Sequence, residues 1–252
     1  MKDFHAKKSL GQNFLKNPHV IEKIIEAADL KADDVVVEAG PGMGVLTEAL
    51  LLKVKKVIAI EKDSQLFGIL TQKFEYSIRI GALKLISGDA LKIAPPSGKF
   101  KLVANIPYYI TSPLLDHFIR ENTQNLPQLA VVLVQKEVAA KICAAPPRMN
   151  VLALHVQTFG DPEIVMHVSK GNFSPAPKVD SAVIKIEFSA KQKVSCDLKK
   201  YFELIHSAFA HKRKMLRGTL PESLLKAAGI DPTVRPETLQ LNGWERLANA
   251  NL

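Results

Sequence analysis

The stretch Val35-Val36-Val37-Glu38-Ala39-Gly40-Pro41-Gly42-Met43-Gly44 decides the fold. Its valine-rich first half reads as a buried strand. The three alternating glycines read as a turn, closed at once by a helix expected over Val45 to Lys53. Glycines are needed where a backbone must approach a ligand lying over the carboxyl end of a strand, because a Cβ would hold it away. A helix start adds free N–H groups. The segment therefore has the pattern of a nucleotide-type site at the end of a first strand.

Working outward, short β-branched runs alternate with helical stretches. Strands are expected at Val57–Ile60, Leu83–Ile86, Leu102–Ala104 and Leu129–Val134, and helices at Asp63–Glu75, about 112–121 and 136–144. Continuous apolar strands separated by helices mean an α/β fold with a parallel sheet covered on both faces. Each strand end carries a polar group. Glu61 closes the second strand, where a carboxylate can accept hydrogen bonds from both ribose hydroxyls. Asp89, in Ser87-Gly88-Asp89-Ala90, is placed to take an adenine amino group. The glycine order is GxGxG, with valine at position 45, which argues against the GxGxxG turn of NAD-binding proteins. Glu38 suits a ligand bearing a cationic group, such as S-adenosylmethionine.

The fourth strand ends in Asn105-Ile106-Pro107-Tyr108-Tyr109. Methyl transfer to an aromatic amino nitrogen is hindered because the lone pair is delocalised into the ring. The Asn105 side-chain carbonyl and a backbone carbonyl, held beside it by rigid Pro107, could accept both N–H bonds and orient that lone pair. Tyr108 offers a flat face on which a base can stack.

After Pro146-Pro147 the pattern changes to an apolar segment at 149–159, a strand at Glu163–Val168, a proline-rich turn at 173–177 and a strand at Ala182–Phe188. Two late strands near the sheet edge would complete a seven-strand layout. Beyond Ser189 only short helices are expected, at 197–209, 221–228 and 244–250, with Gly229 as a helix C-cap. The expected domains are therefore 1–189 and 190–252. The net charge of +9 is concentrated at the ends: residues 1–25 hold five basic against two acidic residues, and 189–252 hold eleven against six. Basic ends around a near-neutral middle suggest contact with something anionic.

Cys143 and Cys196 have no CxxC partner, so neither a disulfide framework nor a cysteine zinc site is expected. No apolar run approaches the roughly 20 residues of a membrane helix. The opening MKDFHAKKSLGQNF lacks a signal-peptide core and an Arg-rich, acid-poor leader. A soluble cytoplasmic protein is the expectation.

Taken together, these motifs resemble those of the ribosomal RNA adenine N6,N6-dimethyltransferase family almost end to end. The likeness runs through Lys7-Lys8-Ser9-Leu10-Gly11-Gln12-Asn13-Phe14-Leu15, Glu38 to Thr47, Ile60-Glu61-Lys62-Asp63, Asn105 to Tyr108, Val134-Gln135-Lys136-Glu137-Val138-Ala139, Phe173 to Val183, and the basic stretch around Phe209 to Leu216. It implies a Rossmann-like class I methyltransferase sheet with helices on both faces and a small C-terminal all-α domain that binds RNA. It implies S-adenosylmethionine held by Asn13, Leu15, Gly40, Glu61, Asp89 and Asn105, with no metal. The target adenine is then expected between Tyr108 and Phe173, and Lys212, Arg213, Lys214 and Arg217 on the C-terminal helices against RNA phosphates. The implied reaction adds methyl groups to two adjacent adenosines near the 3′ end of small-subunit RNA, within a pre-ribosomal particle, by a monomer.

Two departures from the family pattern stand out. The stretch after Val134–Ala139, usually a proline and glycine loop with Tyr-Gly-x-Leu-Ser, reads Ala144-Ala145-Pro146-Pro147-Arg148-Met149-Asn150-Val151-Leu152, which bears on substrate contacts more than on the cofactor. The glycine before Asn105 is Ala104, which keeps a small residue. Two other readings share much of the pattern: a large-subunit RNA adenine methylase of the macrolide-resistance type, and a ribosome-assembly binding factor. Phe173–Val183 and Arg235–Leu239 lean against the first, the intact acids against the second.

Overall fold

The computed structural model describes residues 7, 10–189, 191–211 and 213–250. Its strands are β1 (Phe14–Leu15), β2 (Val35–Ala39), β3 (Lys56–Glu61), β4 (Leu83–Ser87), β5 (Lys101–Asn105), β6 (Leu129–Gln135), β7 (Gly160–Val168), β8 (Phe173–Ser174) and β9 (Ser181–Phe188). Its helices are α1 (Pro18–Ala27), α2 (Val45–Leu51), α3 (Ser64–Lys73), α4 (Glu75–Arg79), α5 (Thr111–Phe118), α6 (Lys136–Ile142), α7 (Val151–Gln157), α8 (Leu198–Phe209), α9 (Glu222–Ala227) and α10 (Leu241–Asn249). Among the described residues no helix is long and apolar enough to cross a membrane.

Seven strands form one sheet in the order β4-β3-β2-β5-β6-β9-β7. The pairings from β4 through β6 are parallel, and β9 runs antiparallel to β6. Strand β6 buries six consecutive residues, Leu129 to Val134. Successive strand side chains point to opposite faces, so this run means cover on both sides. The chain builds outward from β2 through β3 to β4, then returns to place β5 on the other side of β2. The carboxyl ends of β2 and β5 therefore flank a topological switch point, where open α/β sheets bind ligands.

The chain divides into two compact units. One runs to Ala139 and resumes over Asp161–Phe188; the other takes Ala140–Gly160 and continues from Ser189. The expected boundary near 190 thus has a companion: residues 140–160 group with the C-terminal helices. The reason is packing, since α7 lies on α8 and buries Leu154 and Val156. Main-chain bonds add to it, from Met149 N–H to Glu237 O at 3.0 Å and from Lys193 N–H to Thr158 O at 2.8 Å. In this unit α8 also packs on α10 around buried Tyr201, Trp244 and Leu247. Gly229 follows α9 at φ 62, as expected of a C-cap.

Three features differ from the expectations. Helix α1 was not expected; Asn17 caps it by accepting from His19 N–H at 3.0 Å, and Val20, Ile21 and Ile24 form its buried face. The proline-rich turn at 173–177 begins with a strand, because β8 pairs antiparallel with β1 in a separate two-stranded ribbon. Among the described residues the basic stretch is not one continuous helix: α8 ends at Phe209, and a 3-10 helix follows at Leu216–Gly218. Arg213, Lys214 and Arg217 are exposed there, and Lys212 lies outside the described residues.

Candidate active site

The glycine turn follows β2 directly. Gly44 has φ 75, and a Cβ on it would come within 2.6 Å of the Phe74 ring and 2.8 Å of Leu70. Left-handed backbone and close packing both require glycine there. Gly40, at φ 72, lies over Pro107, which a Cβ would meet only at ordinary contact distance, 3.6 Å. The turn is thereby fixed between Pro107, just past β5, and the C-terminal end of α3.

Around it one pocket is lined by Asn13, Leu15, Gly40, Glu61, Asp89, Asn105, Pro107 and Tyr108, together with Glu38. The parallel register explains why residues so far apart in sequence meet. Ala39 pairs with Ile60 and Glu61 with Ser87, so the acids of β3 and of the turn after β4 come to the same edge as the glycines.

The carboxyl groups differ in state. Glu38 is 1% exposed and accepts a hydrogen bond from Thr47 Oγ1 at 2.6 Å. Burial pushes its carboxyl up to about 8, against the Thr47 bond, with the charge of Glu61 adding to the rise. Glu61 accepts from Gly42 N–H at 3.1 Å through Oε2 and from Asp63 N–H at 2.8 Å through Oε1. Burial raises its carboxyl too, against those two amides. Each oxygen retains a lone pair for a ligand hydroxyl. Asp89 accepts from Lys62 Nζ at 2.9 Å and from Leu91 N–H at 3.1 Å, and the Lys62 bond holds its carboxyl below the ordinary range.

Asn105 ends β5 with its Nδ2 donating to Asn13 O at 3.3 Å, and Asn13 Nδ2 donates to Gly11 O at 3.0 Å. With its amide nitrogen turned to the N-terminal segment, Asn105 keeps Oδ1 as an acceptor. Tyr108 opens a 3-10 helix at Tyr108–Ile110, and its hydroxyl lies 2.5 Å from Ser181 Oγ at the start of β9. Burial raises the Tyr108 hydroxyl above its usual value. Sequence reasoning did not single out Thr47, Lys62 or Ser181 for these bonds, since only the fold brings each to its partner.

Phe173 differs from the rest. It is 2% exposed, its residue pairs with Leu15 in the β1–β8 ribbon, and its ring packs in the apolar cluster of Leu15, Val20 and Ile21. It is not on the pocket lining. In this arrangement the ring is enclosed by the core and is not turned into the pocket.

The sequence profile of the family described as ribosomal RNA adenine dimethylase matches residues 3–248. The ribosomal RNA small subunit methyltransferase A of Dehalococcoides mccartyi is 42% identical over 261 residues, covering 96% of this chain and 87% of that protein. The protein of the same name from Clostridium acetobutylicum is 38% identical over 265 residues, covering 98% and 94%. Among solved structures, a dimethyladenosine transferase from Plasmodium falciparum aligns with a TM-score of 0.80 at 29% identity, over 93% of this chain and 95% of that one. The 23S rRNA methyltransferase ErmE aligns with a TM-score of 0.76 at 28% identity, over 94% and 99%.

Proposed function

This chain belongs to the ribosomal RNA adenine dimethylase family, and from that premise we propose that it transfers methyl groups from S-adenosylmethionine to adenine N6 in small-subunit ribosomal RNA. Its sheet is the Rossmann-like sheet of class I methyltransferases. The observation that carries the reading is the meeting of Gly40, Glu61, Asp89 and Asn105, from the carboxyl ends of β2, β3, β4 and β5, around one pocket.

The donor set suits the cofactor. Glu61 has acceptors left for the two ribose hydroxyls, Asp89 for the adenine amino group, and the buried Glu38 beside Glu61 favours a cationic ligand. S-adenosylmethionine brings a methyl group already activated on a sulfonium. The residues of this chain then have to bind, orient and exclude water. Asn105 Oδ1 and the main-chain carbonyl before Pro107 accept the two N–H bonds of the target amino group and turn its lone pair toward the cofactor. Tyr108, tied to Ser181, presents the face on which the base stacks. Phe173 instead anchors its loop to the core. The target base has to leave its stack to reach the pocket, so an unpaired or loop adenosine is the substrate.

The finer expectations belong to the same proposal: two adjacent adenosines of the 3′-terminal hairpin, within a pre-ribosomal particle, acted on by a monomer in the cytoplasm. Exposed Arg213, Lys214 and Arg217 are the cations offered to phosphate. The second reading, a large-subunit methylase, has ErmE in its favour, whose structural likeness nearly equals that of the dimethyladenosine transferase. Sequence favours the first reading, through relatives named for the small subunit at 42% and 38% identity.

Labelled S-adenosylmethionine incubated with undermethylated small subunits, and with large subunits in parallel, tests it. Dimethyladenosine in the small-subunit 3′ hairpin is the expected product, lost in Asn105→Ala while cofactor binding stays measurable. Label confined to large-subunit RNA, or turnover retained by Asn105→Ala, overturns the assignment.

A further inference from the structure

Asp63 stands two residues beyond Glu61, and its side chain is fully buried. A buried carboxylate needs partners for its lone pairs. Three donors supply them: Lys7 Nζ at 2.8 Å, Gln12 Nε2 at 2.9 Å, and Gln65 N–H at 3.0 Å. The Gln65 bond is an ordinary N-cap of α3, for which one oxygen and no charge would suffice. The other two reach back to the N-terminal segment whose Gln12 and Asn13 line the cofactor pocket. Lys7 and Gln12 are also joined to each other, Lys7 N–H donating to Gln12 Oε1 at 2.7 Å. Meanwhile the main-chain N–H of Asp63 donates to Glu61 Oε1 at 2.8 Å. One residue thus holds the N-terminal segment with its side chain and a cofactor-facing acid with its backbone.

We propose that Asp63 is a positioning residue for cofactor binding, registering Lys7 and Gln12 against the pocket while orienting the carboxylate of Glu61. Its ionised state fits the role: burial works against the charge, and the bonds from Lys7, Gln12 and Gln65 N–H outweigh it, holding the carboxyl below its ordinary range. The proposal rests on the pocket's assignment to S-adenosylmethionine. It also accounts for Lys7 and Asp63, which the family-like motifs contain and the methyl transfer leaves without a task.

Asp63→Asn keeps an acceptor for Gln65 N–H, so the helix cap survives. Wild type, Asp63→Asn, Lys7→Met, Lys7→Arg and the Asp63→Asn/Lys7→Met double variant are titrated calorimetrically with S-adenosylmethionine, with a thermal melt of each as the folding control. Each disruptive single change is expected to weaken binding about tenfold, the loss of one charge-assisted bond. The double variant should bind no worse than the weaker single one, because the two residues share one interaction, and Lys7→Arg should restore most of the affinity. Single variants that bind like wild type, losses that simply add, or weakening matched by a lost folded fraction would overturn the proposal. If wild type itself binds no S-adenosylmethionine, the pocket's assignment falls and takes this inference with it; wild-type binding with unaltered variants removes the inference alone.

Discussion

Four carboxyl groups in and beside the pocket fall into two pairs with opposite surroundings. Asp63 and Asp89 each hold a lysine, Lys7 and Lys62, and both carboxyls are held down. Glu38 and Glu61 receive a hydroxyl and backbone amides, and both are pushed up. The first pair has its compensating charge supplied by the protein: Asp63 holds the N-terminal segment, and Asp89 holds Lys62 at the pocket's edge. The second pair is buried with dipoles alone, so positive charge brought by a ligand has most to gain there. Burial alone does not set a carboxyl's state; the kind of partner already present does.

The sharpest way to break that division is Glu61→Ala, which removes both acceptors offered to the ribose. Cofactor affinity measured by calorimetry should fall about a hundredfold, as for two charged hydrogen bonds; an unchanged value would move the ribose elsewhere. Glu38→Gln probes the charge itself while keeping an acceptor for Thr47. Because Glu38 sits near 8 in the free protein, a cationic ligand should drive its ionisation, and wild-type affinity should rise about tenfold between pH 6.5 and 8.5. The Glu38→Gln variant should flatten that profile, and the product S-adenosylhomocysteine, which lacks the sulfonium charge, should show less of it even in wild type. The same shift has a signed consequence without ligand. A carboxyl raised from 4.5 to about 8 lends stability below the lower value that is lost as pH rises through the upper, so thermal melts of wild type should fall over that window more than those of Glu38→Gln. The smallest effect belongs to Asp89→Asn. It frees Lys62, whose side chain is 55% exposed, and leaves an amide oxygen for the adenine amino group, so affinity should drop only about threefold. A loss larger than that of Glu61→Ala would invert the comparison.

Much of the sheet was legible because its strands are continuous apolar runs and the polar residues at or just past their ends, Glu61, Asp89 and Asn105, interrupt the pattern at the pocket. What escaped was set by distance or by brevity. Two-residue strands such as β1 and β8 carry no periodicity, so their pairing, and with it the burial of Phe173, could not be read from either segment alone. Ser181, Thr47 and Lys62 look like ordinary strand, helix and turn residues until the sheet brings them to Tyr108, Glu38 and Asp89. Helix α1 is a different case. Asn17-Pro18 followed by Val20, Ile21 and Ile24 is a capped amphipathic start, and the signal was present in the chain. The basic stretch failed for a local reason: its charges suit a helix, but α8 has already ended in turns before Arg213.

The β1–β8 ribbon also bears on the order in which the protein is made. Phe14 pairs with Ser174, and Asn17 Nδ2 donates to Asn172 Oδ1 at 2.7 Å, so strand β1 meets its ribbon partner only once the chain has grown past position 174. Contacts this remote in sequence form late, after local helices and neighbouring strands have condensed. The sheet can therefore assemble ahead of the β1–β8 ribbon, and that ribbon should open early in native-state hydrogen exchange. Occupancy by cofactor would slow that opening, which makes the ligand a finishing step of folding as well as a reactant.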